Sequence, residues 1–179
     1  MTDAERKAAT VLNLGCGQKR FDGAVNLDRV AMVNPDVVHD LDQFPWPFDE
    51  NQFRSVHAND VIEHCSDVVA TMEEIHRICQ SRALVRITTP HFSSANSFTD
   101  PTHRHHFSYF SFHYFTREHD FDFYTEKRFI RRQAQIVFYP TLVNKVIWRL
   151  ANRFPQAYER RWAWLFPAWF LNFELEVVK

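Results

Sequence analysis

The chain has 179 residues, a length that fits one domain and can bury a hydrophobic core without disulfide or metal staples. Its 21 Lys and Arg balance 22 Asp and Glu, so no overall field points to nucleic acid or to an acidic partner. Cys16, Cys65 and Cys79 form no paired framework, the polar N-terminus has no apolar signal region, and no apolar run nears the roughly 18 residues of a membrane span; reduced thiols and a cytoplasmic location are expected.

Val11–Leu14 is a short apolar run stopped by Gly15 and reads as a buried strand feeding a turn. Residues 24–28 and 36–41 read as two more strands, and the Pro, Asp and Asn of 45–51 as a loop. A fourth strand is expected over 53–58, ending at Asn59 and Asp60. The period then changes: Val68, Met72, Ile75 and Cys79 fall at helical spacing, with Ser66 or Asp67 as the cap. Residues 83–88 form a fifth strand closed by Pro90. A long connection follows from His91 to Tyr114, then a sixth strand over 130–139. Residues 140–170 are helical in composition but broken at Pro155 and Pro167, and 172–178 alternate as a final antiparallel edge strand. The rhythm predicts one α/β domain over 1–179: a Rossmann-like, mostly parallel sheet with helices on both faces. Within it, 11–90 would be the cofactor-binding core, 91–170 a substrate loop and aromatic helical cover, and 171–179 the edge strand.

Leu14-Gly15-Cys16-Gly17 directly follows a strand, where glycines let the backbone pass close under a ligand. Asp28 ends the next strand, where an acid can hold both ribose hydroxyls of a nucleotide. A dinucleotide is disfavoured. The fingerprint wants a third glycine where Arg20 stands, and Asp28 follows Gly15 too soon, so the first helix must be very short or absent between Gln18 and Gly23.

The ordered runs VLNLGCG, NLD, HDLD, ANDVIEH and LVRITTPH resemble the class I S-adenosylmethionine-dependent methyltransferases, in the form of a small bacterial subgroup with a shortened first helix. The resemblance covers roughly residues 11–115. It implies S-adenosylmethionine as cofactor and methyl transfer as activity. It also implies that Gly15, Cys16 and Gly17, preceded by Asn13, pass near the methionine end, and that Asp28 binds the ribose with Arg29 beside the adenine. Asp40, with Leu41, would accept from the adenine amine. The carbonyl of Asn59, followed by Asp60, would face the methionine amine, with Val61 and His64 near the methyl group. Many members carry an acid where Asn13 stands.

Five of the ten histidines lie between His91 and His113, in a segment leaving the fifth strand on the side of the glycine turn. Methyl transfer to a hydroxyl needs a proton acceptor, and imidazole suits the role near neutral pH. His103 and His106 lead, with His105 behind and His91 weaker; scaffold roles compete for each. The run His103-Arg104-His105-His106 with Asp100 could also supply metal ligands, but its spacing matches no zinc pattern and no metal is expected. The expected acceptor is an oxygen of a sugar, glycan precursor or other small molecule, since similar small methyltransferases serve bacterial surface-polysaccharide pathways. An NAD(P)-dependent oxidoreductase and a non-catalytic cofactor-binding module are the alternatives. In the aromatic C-terminal third, Trp and Phe alternate with Arg149, Arg153, Arg160 and Arg161. Core and lid is the leading reading; contact with the inner membrane surface and a homodimer face are the others.

Overall fold

In the computed structural model, which describes residues 2–116 and 125–179, the apolar runs of the first half become five parallel strands. β1 (Val11–Leu14), β2 (Val25–Asp28), β3 (Val37–Val38), β4 (Phe53–Asn59) and β5 (Cys79–Pro90) lie in the order β3-β2-β1-β4-β5. Leu12, Leu14, Val25, Leu27, Val56 and Val85 are fully buried, as near-continuous apolar runs in a parallel sheet require. Two further strands, β6 (Arg128–Val137) and β7 (Phe170–Val178), complete a seven-stranded sheet, with β7 antiparallel to both β5 and β6.

β7 is therefore the antiparallel strand expected, but it is not the edge. It sits between β5 and β6, and β6 is the edge. Its alternation reports one buried face, through Leu171, Phe173, Leu175 and Val177, and that pattern is the same for an inner strand as for an outer one. The free side of β6 is partly closed by a side chain. Asn152 donates Nδ2 to Ile136 O and accepts from Ile136 N, both at 2.8 Å, and so continues the ladder by one amide.

The helices follow from local chemistry. α1 (Asp3–Ala8) was not expected, although Thr2 and Glu5 spell a capping box that the structure forms in full. α2 (Val68–Ile78) is capped by Asp67, whose carboxylate accepts from Ala70 N at 2.9 Å. It buries Met72, Ile75 and Ile78, and Cys79 already opens β5. α3 (Asn96–Thr99) is one turn within the connection after β5. α4 (Leu142–Arg153) and α5 (Pro155–Arg161) divide at Pro155, which takes the first position of α5 because proline there lacks only an N–H that would go unpaired.

No helix forms between β1 and β2; residues 15–24 run as successive turns. They are held by Asn26, 1% exposed. Its Oδ1 accepts from Asn13 Nδ2 at 3.0 Å and Phe21 N at 2.8 Å, and its Nδ2 donates to Asp36 Oδ2 at 2.9 Å. Burial pushes the Asp36 carboxyl up, but hydrogen bonds from Asn26 and Arg20 more than offset it and leave it lowered.

Asn26→Ala should strand several buried polar groups at once and cost about 2–4 kcal/mol, a fall in melting temperature of about 5–15 °C for a domain of this size. Urea denaturation checks it; a loss below about 0.5 kcal/mol would mean the turns are held by other contacts.

Candidate active site

The strand order reverses between β1 and β4, and in open parallel sheets a ligand crevice forms beyond the carboxyl ends at that point. A cavity of about 300 Å³ lies there, lined by Gly15, Asp28, Asp40, Val61, His64 and Thr102 among others. Gly15 has φ +58°, and a Cβ on it would come within 2.8 Å of Val61 Cβ. Only glycine lets the chain turn this close to Val61 and leave the cavity open. Asp28 closes the other wall. Its Oδ2 accepts from Gly17 N at 2.8 Å and its Oδ1 from Val30 N at 2.9 Å. Each oxygen keeps a further lone pair for a ligand hydroxyl.

The expected cofactor residues divide in two groups. Gly15, Asp28, Arg29, Asp40, Leu41, Asp60, Val61 and His64 share the cavity wall. Asn13, Cys16, Gly17 and Asn59 are not among its lining residues. Asn13 is buried and donates Nδ2 to Lys19 O at 2.9 Å, so it holds the turn from behind. Cys16 is buried, with its N–H on Leu27 O at 3.0 Å. Gly17 acts through Asp28, and Asn59 ends β4 beside Thr88.

The histidines do not act as one group. His103 packs edge-on against His64, ring centroids 4.6 Å apart, and its Nδ1 donates to Ser97 O at 3.1 Å. His64 donates Nδ1 to Thr102 Oγ1 at 2.9 Å, while that hydroxyl donates to Asp100 Oδ1 at 2.7 Å. Burial pushes the His64 imidazole down and His103 adds to the fall, so its neutral form prevails near pH 7. His105 turns away, its Nε2 buried without a partner. His106 is exposed, stacked on Phe98 at 4.5 Å and bonded through Nδ1 to Ser97 Oγ at 2.7 Å. His91 is fully buried between Ser93 and Glu159.

Several site residues carried no expectation. Asp42 lines the cavity and ties two loops to it, accepting from Ser66 N at 2.8 Å and pairing with Arg104 at 3.2 Å. Burial raises its carboxyl, but Ser66 and Arg104 leave it lowered overall. Glu63, inside the quoted ANDVIEH run, is 1% exposed, and neither carboxylate oxygen has a hydrogen-bond partner. Burial pushes its carboxyl up to about 7, with Asp60 adding to the rise and Thr89 and His103 pulling back. Asp60 itself, at φ +54°, is raised by partial desolvation. An acid beside a histidine just past a strand end was the available signal for Glu63.

Residues 22–87 match the family profile described as a methyltransferase domain. No curated protein matches the sequence significantly. Among solved structures, the chain is similar to an S-adenosylmethionine-dependent methyltransferase from Mesorhizobium loti, with TM-score 0.59, 14% identity, and 96% of this chain and 92% of that one covered. It is similar to another from Archaeoglobus fulgidus, with TM-score 0.63, 15% identity and coverage of 97% and 88%. The [4+2]-cyclase SpnF also matches, with TM-score 0.60, 13% identity and coverage of 98% and 78%. At these identities the likeness shows the fold. The cavity, a glycine-turn crevice facing an acid with spare lone pairs, fits a ligand that carries ribose hydroxyls.

Asp28→Ala should weaken S-adenosylhomocysteine binding at least tenfold, since two charge-assisted hydrogen bonds of about 1.5–3 kcal/mol each would be lost. Calorimetry decides it, and unchanged affinity would take Asp28 out of the site.

Proposed function

We infer that this protein is a class I S-adenosylmethionine-dependent methyltransferase and that it delivers the methyl group to an oxygen of a sugar, a glycan precursor or another small molecule. The observation that carries the reading is that His64, backed by His103, opens onto the same cavity as Gly15 and Asp28. When bound, the cofactor supplies a methyl group on a sulfonium centre. The residues supply the rest. Asp28 would hold the ribose hydroxyls, Arg29, Asp40 and Leu41 would surround the adenine, and the turn at Gly15 with Asn59 and Asp60 would receive the methionine end. Val61 packs directly against the turn at Gly15.

An acceptor hydroxyl must lose a proton as its oxygen is methylated. None of the three expected bases lines the cavity itself, but His103 packs against His64, which does. Ser97 O can only accept, so His103 carries its proton on Nδ1 and presents Nε2 as the free lone pair. His106 is engaged with Ser97 and Phe98, and His105 has its free nitrogen buried. The polar, carboxylate-rich rim of Asp42, Asp60 and Asp100 suits a hydroxylated acceptor, whose O–H groups need acceptors of their own.

His103→Ala should lower turnover by about 10²–10⁴-fold with little change in S-adenosylhomocysteine affinity, whereas His106→Ala should stay within a few fold. The assay uses a panel of sugar nucleotides and glycans; near-normal turnover of His103→Ala on an accepted substrate would refute this role.

A further inference from the structure

We propose that Glu63, His64 and His103 form a binding site for a divalent transition cation behind the stretch of cavity wall that His64 lines. One carboxylate oxygen of Glu63 and one ring nitrogen from each histidine lie within 4.8 Å of one another. Metal–ligand bonds of about 2.0–2.2 Å put neighbouring donors about 3–3.5 Å apart, so side-chain rotations of about an ångström close the set. Two independent features prepare it. Glu63 is buried, and neither oxygen has a partner at ordinary hydrogen-bond distance, the Thr89 hydroxyl standing near enough only to pull its carboxyl down, an arrangement that is costly for a carboxylate unless something else satisfies it. Both imidazoles are also fixed with the proton on Nδ1, by Thr102 Oγ1 and by Ser97 O, which leaves Nε2 as the ligand atom of each. Such outer partners orient a metal-binding histidine and choose its tautomer.

Two imidazoles and one carboxylate suit Mn²⁺, Fe²⁺, Co²⁺ or Zn²⁺, and leave coordination positions for further ligands, with His64 the member that reaches the cavity. A bound cation would take the oxygen of the acceptor hydroxyl and lower its pKa, so the proton leaves more easily. This use rests on the methyl-transfer reading and changes one part of it: with the cation in place His103 is a ligand, and the proton passes to water or to Asp60.

Chelator-treated protein titrated with Co²⁺ tests the site without any acceptor. One equivalent should bind, with visible absorption bands and a rise in melting temperature. Glu63→Gln and His103→Ala should each weaken binding at least tenfold while keeping S-adenosylhomocysteine affinity. Asp28→Ala should do the reverse. Absence of stoichiometric binding by wild type, or binding that both variants retain, overturns the site and leaves the methyl-transfer reading standing. Wild-type protein that takes Co²⁺ but not S-adenosylhomocysteine would instead overturn that reading.

A separate observation concerns α4 and α5. α4 buries only Ala151, and Leu142, Val146, Leu150, Phe154, Trp162 and Trp164 are all exposed. Residues 141–169 carry five cations, Lys145, Arg149, Arg153, Arg160 and Arg161, against one acid, Glu159, in a chain of net charge −1. Glu159 is itself engaged by His91 and by Tyr109 N. Exposed tryptophan beside concentrated Arg matches an anionic lipid surface, where apolar side chains enter the headgroup boundary and cations meet phosphate. We propose that this face docks on an anionic membrane. No helix among the described residues is long and apolar enough to cross one, so the contact is peripheral. The protein should sediment with phosphatidylglycerol vesicles at low salt and not with phosphatidylcholine. Binding should drop at least tenfold in Trp162→Ser/Trp164→Ser and in Arg160→Glu/Arg161→Glu. Binding that ignores these changes, no binding, or a stable dimer by light scattering that these variants dissolve would overturn the proposal.

Discussion

Asn26 is the residue on which the cofactor half of the fold depends. A βαβ unit ordinarily covers the space beside its first strand with a helix, whose backbone satisfies its own polar groups. Here β1 reaches β2 through turns alone, so the backbone groups of residues 15–24 need partners from elsewhere. The Asn26 amide supplies them to Phe21 and Ala24, and reaches Asn13 on β1 and Asp36 before β3. One side chain thus ties β2 to β1, to the turns between them and to the residue that leads into β3. The glycine turn can then be short and sharp, and Asp28, two residues further along β2, is set against Gly17.

A second anchor does the same for the connection after β5. The carbonyl of Glu63 accepts from Arg104 N at 2.9 Å and His105 N at 3.2 Å, and the Arg104 guanidinium reaches Asp42. The histidine segment is therefore bound to the turn after β4 and to the loop after β3. That is why Asp100 and Thr102 stand in the same wall as Asp28, far away in sequence. The same carbonyl contacts fix the backbone of Glu63, and with it a carboxylate held out of water.

The parallel half was legible in the sequence because short apolar runs ending in Gly or Asp have few other uses. β1 and β4 fall where periodicity and turn residues put them, β5 contains the expected 83–88 but opens already at Cys79, which was expected on α2, and the absent first helix followed from the spacing of Gly15 and Asp28. Register with neighbours was not legible. Residues 172–178 alternate as an edge strand would, yet lie inside the sheet, because alternation records burial of one face and says nothing of what pairs alongside. At the site, Gly15 and Asp28 were readable since a turn and a strand end leave few conformations open. The histidines were not separable, because His103, His105 and His106 differ only in what surrounds them: Ser97 O for His103, burial of Nε2 without a partner for His105, and Phe98 for His106. Glu63 was hidden for the same reason. An acid in a surface-type sequence context is normally solvated, and only the fold shows it buried.

The division of the cavity also argues where its selectivity must reside. The ends of β1 and β2 are committed by the network around Asn26 and by Asp28, whose two oxygens already hold Gly17 and Val30. A change there would disturb strand packing and cofactor contacts together, so these loops have little freedom to adapt to an acceptor. The ends of β4 and β5 are different. Beyond Val61 and Pro90 the chain runs in 3₁₀ turns and loops pinned at a few points, with His64, Asp100 and Thr102 joined to one another and not to the strands. Side chains in such a segment can be exchanged without moving the sheet. On the proposed reading, the acceptor would be read by the elements that follow β4 and β5, while the elements that follow β1 and β2 would hold the nucleotide, and Val61, which lines the cavity and packs against the glycine turn, stands between the two.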